Sequence, residues 1–340
     1  MLKIFSDTHI GLNRNSHTTP ASRAELRKAL YDQAFHLSEN NLRFTTCCLG
    51  DLFDSFWADG NTVKQGFEIF KRLDICLTGN HDFSNRTTAL SSMQLIKNIS
   101  DGSGVGAESI ASVEQYNVWE NAIQIINHKM TQTLFDESVE MVEKLGGVLF
   151  LHCNYNSGFA ANEASLNLTH EQAEKLLKKV DYIFIGHEHI PASYFGGRLI
   201  ITGNTHPTSF SDISDKYVYY LDEELELTKE LIWEAATRSV KVHYSELSEL
   251  NTQGLEFIEV TGEVEKSELP AVARAVANLW KNASNAYMIK NSTTYDKSIE
   301  KTAETSVCVT NPIDAITKEL EGTPLFQMWV KYKMRTTSHF

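Results

Sequence analysis

Acidic, imidazole and amide side chains directly follow five short apolar runs of the sequence. In the stretch TGNHDF, after LDICL, an asparagine, a histidine and an aspartate stand side by side. The other four stretches are SDTHIG, GDLFDSF, HCNY and GHEH, each after an apolar run of its own. The side chains that could do chemistry are Asp7, His9, Asp51, Asp54, Asn80, His81, Asp82, His152, His187 and His189.

These side chains together have the chemistry of metal ligands. Carboxylate, imidazole and amide groups without a thiolate suit manganese, iron, zinc or magnesium. There are enough of them for two ions, and one carboxylate can bridge the pair. Two ions about 3.5–4 Å apart can hold both the attacking and the leaving oxygen of a phosphoryl displacement, and they lower the pKa of bound water. The pattern therefore predicts a two-metal site for phosphoryl transfer.

Each stretch also has an ordinary structural explanation when taken alone. Gly-Asn is good turn chemistry, DTH can be a capping aspartate beside a surface histidine, and His152 can be a semi-buried histidine. GHEH is harder to explain in this way, because two imidazoles separated by one residue follow a buried strand. The occurrence of all five stretches, each at a strand end, favours the metal site.

The elements that must position these residues are strands alternating with helices. The predicted strands are Leu2–Phe5, Phe44–Leu49, Ile75–Leu77, Val148–His152, Tyr182–Ile185, Leu199–Ile201 and Tyr217–Leu221. The predicted helices are SRAELRKALYDQAFHLSEN, NTVKQGFEIFKRL, TLFDESVEMVEKL and THEQAEKLLKKV, the last capped by Thr169 with Gln172. Their alternation predicts an α/β domain over residues 1–225, whose short apolar strands suit a sheet covered on both faces. Ligands in such sheets bind beyond the carboxyl ends of the strands, so the five stretches are expected to converge.

The sequence changes character after Asp222. DEELELTKELIWE has the character of a charged connector, LEFIEVTGEVEK alternates as an exposed strand does, and LPAVARAVANLW predicts a short helix. We therefore expect a second, smaller α+β domain over residues 235–340. The polar stretch over residues 282–311 is consistent with a long loop, and its role stays open.

Bulk composition excludes some classes of protein. The 340 residues are 42% hydrophobic and 22% charged, as in ordinary globular proteins, and no run is long enough for a membrane helix. The first residues are too polar for a signal peptide, and five cysteines without CxxC spacing indicate free thiols, so a cytoplasmic protein is expected. The net charge of −13 argues against a general electrostatic grip on nucleic acid, although a local basic strip, bound cations or a partner could supply positive charge.

In their order, the five stretches resemble the motifs of the calcineurin-like metallophosphoesterases. The resemblance implies a sandwich of central β-sheets flanked by helices, with two divalent ions. By the family pattern, one ion would be held by Asp7, His9, Asp51 and His189. Asp51 would bridge to a second ion held by Asn80, His152 and His187. The implied catalytic group is His81, which would stabilise the transition state or protonate the leaving oxygen, with Asp54 and Asp82 orienting the site.

Three features are similar to the Mre11/SbcD nucleases within this superfamily. The first stretch continues as DTHIGLN, GDLFDSF lacks the Arg-Gly of the Ser/Thr phosphatases, and RLIITGNTHPTSFSDISDKYVYYLD resembles the segment that follows G-H-x-H. The aspartate at position 54 is similar to the residue found there in the bacterial and phage branch of these nucleases. The smaller second domain would be their DNA-capping domain. The resemblance implies a homodimer that cuts DNA with manganese, or else magnesium, beside a Rad50/SbcC-like ATPase.

Two other functions stay open on the sequence alone. One is a metallophosphoesterase for a small phosphodiester or nucleoside pyrophosphate, and the other is a non-catalytic binding module, against which the full ligand set counts. The C-terminal PLFQMWVKYKMRTTSHF mixes aromatic residues with Lys331, Lys333 and Arg335. It is either a partner or DNA contact or an ordinary terminal helix with a solvated basic face.

Overall fold

The computed structural model describes residues 1–39, 43–83, 90–101, 111–118, 121–158 and 165–295. The helices are α1 (Pro20–Leu37), α2 (Gly60–Phe70), α3 (Ser92–Asp101), α4 (Gln132–Met141), α5 (His170–Leu176), α6 (Ala235–Arg238) and α7 (Leu269–Asn282). The first eight strands are β1 (Leu2–Phe5), β2 (Thr45–Cys48), β3 (Ile75–Cys76), β4 (Glu114–Val118), β5 (Asn121–Ile126), β6 (Val148–His152), β7 (Asn154–Tyr155) and β8 (Asn167–Leu168). The other strands are β9 (Tyr182–Gly186), β10 (Ala192–Tyr194), β11 (Leu199–Ile201), β12 (Lys216–Leu221), β13 (Leu227–Trp233), β14 (Ser239–His243), β15 (Phe257–Thr261) and β16 (Met288–Asn291).

Two sheets form the centre of the fold. The first has the order β13-β12-β1-β2-β3, and the second has the order β10-β11-β9-β6-β5-β4. In the first sheet β1, β2 and β3 are parallel, and in the second β5, β6, β9 and β11 are parallel. All strands that precede the five stretches therefore end at the same edge of their sheets.

Alternating side chains of these strands fill the layers on either side of each sheet. Leu2 and Ile4 of β1 pack with Val148 and Phe150 of β6 in the core between the two sheets. Phe5 of β1 points to the other face, where it packs with Leu37 of α1. Because both faces of central strands such as β1 and β6 are covered, these strands are continuous apolar runs, as the sequence predicted. The α/β class is confirmed.

Most of the predicted elements are present with small shifts at their ends. The Thr169 hydroxyl accepts from the Gln172 amide at 3.2 Å, and the Gln172 side chain accepts from the Thr169 amide at 2.9 Å, so the capping box is confirmed. The hairpin of β4 and β5 was not predicted. Its first strand, EQYNV, is polar and mostly exposed at the sheet edge, so it has no apolar run to mark it.

The prediction of a charged connector after Asp222 was wrong. Leu227–Trp233 is the strand β13, which pairs antiparallel with β12 at the edge of the first sheet. The prediction of an exposed strand in LEFIEVTGEVEK was also wrong. Its residues Phe257, Ile258 and Val260 are buried, because β15 is the central strand of the parallel sheet β14-β15-β16. The helix in LPAVARAVANLW is confirmed as α7.

The described residues belong to two compact units. Met1–Gly262 and Glu268–Thr293 form the first, and of the second the structure describes Glu263–Ser267, Thr294 and Tyr295. The three-stranded sheet belongs to the first unit because Phe257 and Met288 share an apolar core with Leu26 and Leu30 of α1. The predicted boundary between residues 225 and 235 does not coincide with this division. A separate capping domain over 235–340 stays a prediction, and the C-terminal segment with Lys331 lies outside the described residues.

Candidate metal centre

All five stretches meet at the carboxyl ends of the strands of both central sheets. The first sheet supplies Asp7, His9, Asp51, Asn80 and His81, and the second supplies His152, His187 and His189. The structure brings their ligand atoms into three overlapping groups, each spanning no more than 4.8 Å: Asp7 with His9 and His189, His9 with Asp51 and His81, and Asp51 with His152 and His187. The predicted convergence of strand ends is therefore present in the fold.

The backbone at this edge turns sharply in the left-handed region. Asp7, His9, Asp51 and His187 have φ values of 55°, 47°, 49° and 93°. Residues other than glycine seldom adopt positive φ, and such positions cluster at functional sites, where the surrounding structure holds the strain. Each strand thus ends in a turn that directs its polar side chain into the shared space.

Three glycines of the motifs permit the turns at the strand ends to approach one another closely. A Cβ atom on Gly50 would lie 2.5 Å from His152 Nδ1, and one on Gly79 would lie 2.2 Å from Asp51 Oδ1. A Cβ atom on Gly186 would lie 2.3 Å from the Ser6 hydroxyl oxygen. Packing therefore requires a glycine before the ligand in each of GD, GN and GH, which is the physical reason for glycine at these motif positions.

The first ligand group lies around Asp7. Its carboxylate accepts from the His187 amide at 3.0 and 3.2 Å, and it lies 4.0 Å from His9 Nε2. His9 Nε2 faces His189 Nε2 at 2.9 Å. Both rings thus present the same kind of nitrogen to one point beside a buried carboxylate.

The second ligand group comprises Asp51, His152 and His187 together with Asn80, around which they lie. The side-chain oxygen of Asn80 lies 3.1 Å from His152 Nε2 and 2.8 Å from His187 Nδ1. Asp51 Oδ2 lies 3.3 Å from the same His152 nitrogen, while Asp51 Oδ1 accepts from the His81 amide at 2.9 Å. Asp51 therefore lies beside both groups, where the bridging ligand was predicted.

The ligand nitrogens and oxygens of the site suit a cation better than they suit one another as hydrogen-bond partners. His152 Nδ1 donates to the Leu49 carbonyl at 2.7 Å, so Nε2 is the nitrogen that faces the oxygens of Asp51 and Asn80, and in the neutral ring it carries a lone pair that could bind a cation. Burial opposes charge on His152, but the Asp51 carboxylate outweighs burial and raises the pKa of His152 to about 9. Burial and neighbouring His152 lower the pKa of His187 to about 4. A proton at His152 thus supplies part of the positive charge that a divalent ion would supply.

Asp212 is a functional residue that the sequence analysis missed. Its Oδ2 accepts from His189 Nδ1 at 3.0 Å, from the Asn204 amide group at 2.8 Å and from the Thr208 hydroxyl at 2.9 Å. Burial opposes ionisation of Asp212, but the bond from His189 and the backbone amide of Thr208 outweigh it and hold its pKa well below the usual range. Asp212 therefore fixes the His189 ring with Nε2 toward the ligand group, as carboxylates do behind metal-binding histidines. The aspartate is 23 residues from His189, within the segment RLIITGNTHPTSFSDISDKYVYYLD, and no local pattern marks it as the partner of His189, so only the fold reveals this contact.

His81 and Asp54 lie at the open side of the ligand groups. His81 Nδ1 donates to the Asp54 carbonyl at 2.6 Å, and the His81 ring lies 5.0 Å from the His9 ring. The Asp54 carboxylate lies 3.4 Å from His9 Nδ1. The Asp54 carbonyl therefore occupies His81 Nδ1, and both residues lie beside the ligand groups.

Asp82 is fully buried and ties together two of the turns. It accepts from the amides of Leu52, Phe53 and Gly79 at 3.2, 3.0 and 3.1 Å. Burial, followed by the charge of Asp51, raises the pKa of Asp82 to about 6. These three hydrogen bonds all come from backbone amides, so Asp82 positions the turns after β2 and β3.

Comparison with protein families agrees with this geometry. The family model of the calcineurin-like phosphoesterases matches residues 2–191, which include all the predicted ligands from Asp7 to His189. The chain belongs to this family. The family binds divalent metals and hydrolyses phosphoesters, so the protein is a metal-dependent hydrolase of the metallophosphoesterase class. No match was found among curated proteins. None of the helices in the described part of the chain has the length and apolar character needed to cross a membrane.

Proposed function

We propose that this protein is a DNA nuclease subunit of the Mre11/SbcD type, which hydrolyses phosphodiester bonds with two divalent ions in DNA repair, recombination or phage DNA metabolism. The observation that carries the proposal is the pair of ligand groups around Asp51, with His81 beside them. The motif continuation DTHIG, aspartate at position 54 and the segment after GHEH support the narrower nuclease type.

The roles of the residues follow from their contacts. Asp7, His9, Asp51 and His189 would hold one ion, and Asp51, Asn80, His152 and His187 the other. Two divalent ions bound there would neutralise charge on the phosphoryl oxygens, with manganese expected and magnesium as the alternative. The protonated His81 would donate from Nε2 to the leaving oxygen while Nδ1 stays bonded to Asp54.

Exposed aromatic and apolar residues that follow two of the five stretches in the sequence support a polymeric substrate and a second copy. Trp57 is 68% exposed, three residues after Asp54, where its indole can stack on a nucleobase. Leu95 and Ile99 on α3 and Leu90 just before it are also exposed, and they suit the homodimer contact that the proposal includes. A Rad50/SbcC-like ATPase belongs to the same proposal, and positive charge on it would offset the net charge of −13 on this chain. A cytoplasmic location is part of the proposal too, and the four described cysteines are free.

The test is nucleotide release from linear double-stranded DNA by the purified full chain with manganese. His81→Ala is the active-site variant, and His36→Ala, which removes an exposed imidazole on α1, is the matched control. We expect cleavage by the wild type and by His36→Ala, and loss of about 100-fold or more in His81→Ala.

A chromogenic phosphodiester is measured in parallel to separate the two substrate classes. Hydrolysis of the small ester without DNA cleavage, with or without an added Rad50/SbcC-type ATPase, would contradict the nuclease proposal and favour the small-substrate function. Failure to hydrolyse either substrate and failure to bind manganese would favour a non-catalytic binding module.

A further inference from the structure

A cavity opens at the edge of the sandwich, and none of its lining residues belongs to the ligand groups. It has a volume of about 570 Å³ and lies between the inner faces of the two sheets, where β10 and β13 are the edge strands. This volume lies in the range of about 300–1,000 Å³ that small-molecule sites occupy. The residues that line it from the inner faces are Ser193, Ile200, Tyr217, Tyr219, Leu227 and Lys229.

The register explains why side chains leave this space open. Tyr219 pairs with Lys229 across β12 and β13, and Ser193 pairs with Ile200 across β10 and β11. Paired residues share a face, so Lys229 and Ser193 lie on the inner faces of their strands. In the strands nearer the centre of each sheet, the inner face carries aliphatic side chains. The core between the sheets thus ends at Ile200 and Tyr219, which are both buried members of it.

The groups that face the cavity are mostly hydrogen-bond donors. The Lys229 ammonium lies 3.8 Å from the centre of the Tyr217 ring, and the Tyr219 hydroxyl has no hydrogen bond to another described residue. The Ser214 hydroxyl oxygen accepts from Lys216 Nζ at 3.0 Å, so its own proton stays available. The one carboxylate, Asp215, already accepts from the Ala235 amide at 2.9 Å and from the Tyr217 hydroxyl at 3.4 Å.

This combination selects a ligand by both shape and charge. Two tyrosine rings, with centres 6.4 Å apart, and the side chains of Ile200 and Leu227 provide apolar surface for a flat ring. One ammonium and several hydroxyl donors provide the partners of an anionic group. We propose that the cavity binds a flat aromatic molecule carrying an anionic group, the chemical class to which nucleoside monophosphates belong. The proposal does not depend on DNA being the substrate of the metal centre.

The cavity also adjoins the residues that support His189. Lys216 Nζ donates to the carbonyls of His189 at 2.9 Å and Asp212 at 2.6 Å, as well as to Ser214. Only the Lys216 side chain therefore separates a molecule that contacts Ser214 from the backbone of His189, a predicted metal ligand.

The test is a calorimetric titration of the full chain with deoxyadenosine monophosphate. EDTA is present throughout, so that the metal centre cannot hold the phosphate through an ion. We expect one site per chain with a dissociation constant between about 1 μM and 1 mM. Adenosine, which lacks the anion, and deoxyribose 5-phosphate, which lacks the ring, should each bind at least about tenfold more weakly.

Two variants locate the binding site. Lys229→Met removes the ammonium and should weaken binding about tenfold, whereas Ser193→Trp should abolish binding by filling the cavity from the edge strand. Lys178→Met, at an exposed lysine paired with Glu174, and His81→Ala should bind as the wild type does. Thermal unfolding of each variant checks that it folds, and Lys229→Met carries the test if Ser193→Trp does not fold.

Three results would overturn the proposal. The first is no heat of binding by the wild type up to about 5 mM nucleotide. The second is binding that Lys229→Met leaves unchanged but His81→Ala removes, because the nucleotide would then occupy the metal centre. The third is equally tight binding of deoxyribose 5-phosphate, which would remove the requirement for an aromatic ring.

Discussion

Two buried clusters of acidic and imidazole groups in this protein show opposite hydrogen-bonding behaviour. One is the metal centre, and the other, which we call the Glu256 cluster, consists of Glu256, His206, Trp233 and Arg238. In the Glu256 cluster the carboxylate accepts from Trp233 at 2.7 Å and from Arg238 at 2.6 Å, and it lies 3.2 Å from a ring nitrogen of His206. The indole N–H and the guanidinium donate to the carboxylate, and His206 Nδ1 donates to the Pro207 carbonyl at 2.9 Å, so each member has a hydrogen-bond partner.

The metal centre contains ring nitrogens that its own members leave incompletely paired. His9 Nε2 and His189 Nε2 face each other at 2.9 Å although His189 Nδ1 already donates to Asp212, and the buried His9 Nδ1 makes no hydrogen bond to a described residue. Four of its residues also have positive φ, whereas none of the Glu256 cluster does. The comparison shows that burial of histidine and carboxylate alone does not indicate a ligand site. What indicates one here is ring nitrogens that face each other or lack a partner, on a backbone held in strained turns.

The largest expected effect comes from Asp51, which lies beside both ligand groups. Asp51→Asn removes the charge between the predicted ions, so we expect phosphodiesterase activity to fall by about three orders of magnitude. Manganese should also stop raising the midpoint of thermal unfolding, which it should raise in the wild type. Asp32→Asn, at an exposed aspartate paired with Lys28, is the control. An unchanged manganese effect in Asp51→Asn would remove Asp51 from the metal centre.

The corresponding change in the Glu256 cluster should affect stability and leave chemistry intact. Glu256→Gln weakens the hydrogen bonds that Trp233 and Arg238 donate to a buried carboxylate, and we expect a loss of about 2–3 kcal/mol in the free energy of unfolding. Activity per folded molecule should equal that of the wild type. Thermal unfolding and initial rates measure the two quantities, with the exposed Glu249→Gln as control. Loss of activity without loss of stability would show that the Glu256 cluster takes part in function.

A smaller effect is expected at Asp212, the carboxylate that accepts a hydrogen bond from His189 of the metal centre. Asp212→Asn removes the carboxylate that fixes the His189 ring, so we expect manganese affinity to fall by about 10–100-fold. Saturating manganese should restore much of the activity, which distinguishes a positioning role from ligation. Titration calorimetry measures the affinity, and activity that no metal concentration restores would contradict the positioning role.

The smallest effect concerns the pH dependence of the Glu256 cluster. Burial opposes ionisation of Glu256, but the bonds from His206 and Trp233 and the charge of Arg238 outweigh it and lower its pKa. A carboxyl whose pKa is lower in the folded state stabilises the fold above its unfolded value, here 4.5, and loses that contribution as pH falls through the folded pKa. The difference in unfolding midpoint between wild type and Glu256→Gln should therefore shrink from pH 7 to about pH 3. A difference that stays constant or grows over this range would contradict the assignment.

Local signals in the sequence were enough for the strands that carry the site and for its chemistry. Apolar runs such as Val148–His152 end in polar residues, and the rule that ligands gather at the carboxyl ends of parallel strands needs no tertiary detail. β13 was not predicted because the residues Thr228, Lys229 and Glu230 at its centre are exposed and form no apolar run. The burial of β15 was not predicted because its neighbours, β14 and β16, are distant segments.

The sequence by itself therefore determined which residue types stand at the strand ends, and hence that a metal-dependent phosphoryl chemistry is possible. Only the tertiary structure decided how those side chains are aimed. The lone pair of His152 is directed by the Leu49 carbonyl and that of His189 by Asp212, and both partners are remote in the chain. Such hydrogen bonds depend on how loops from different strands pack together, because a ring nitrogen becomes a ligand only when the other nitrogen is fixed.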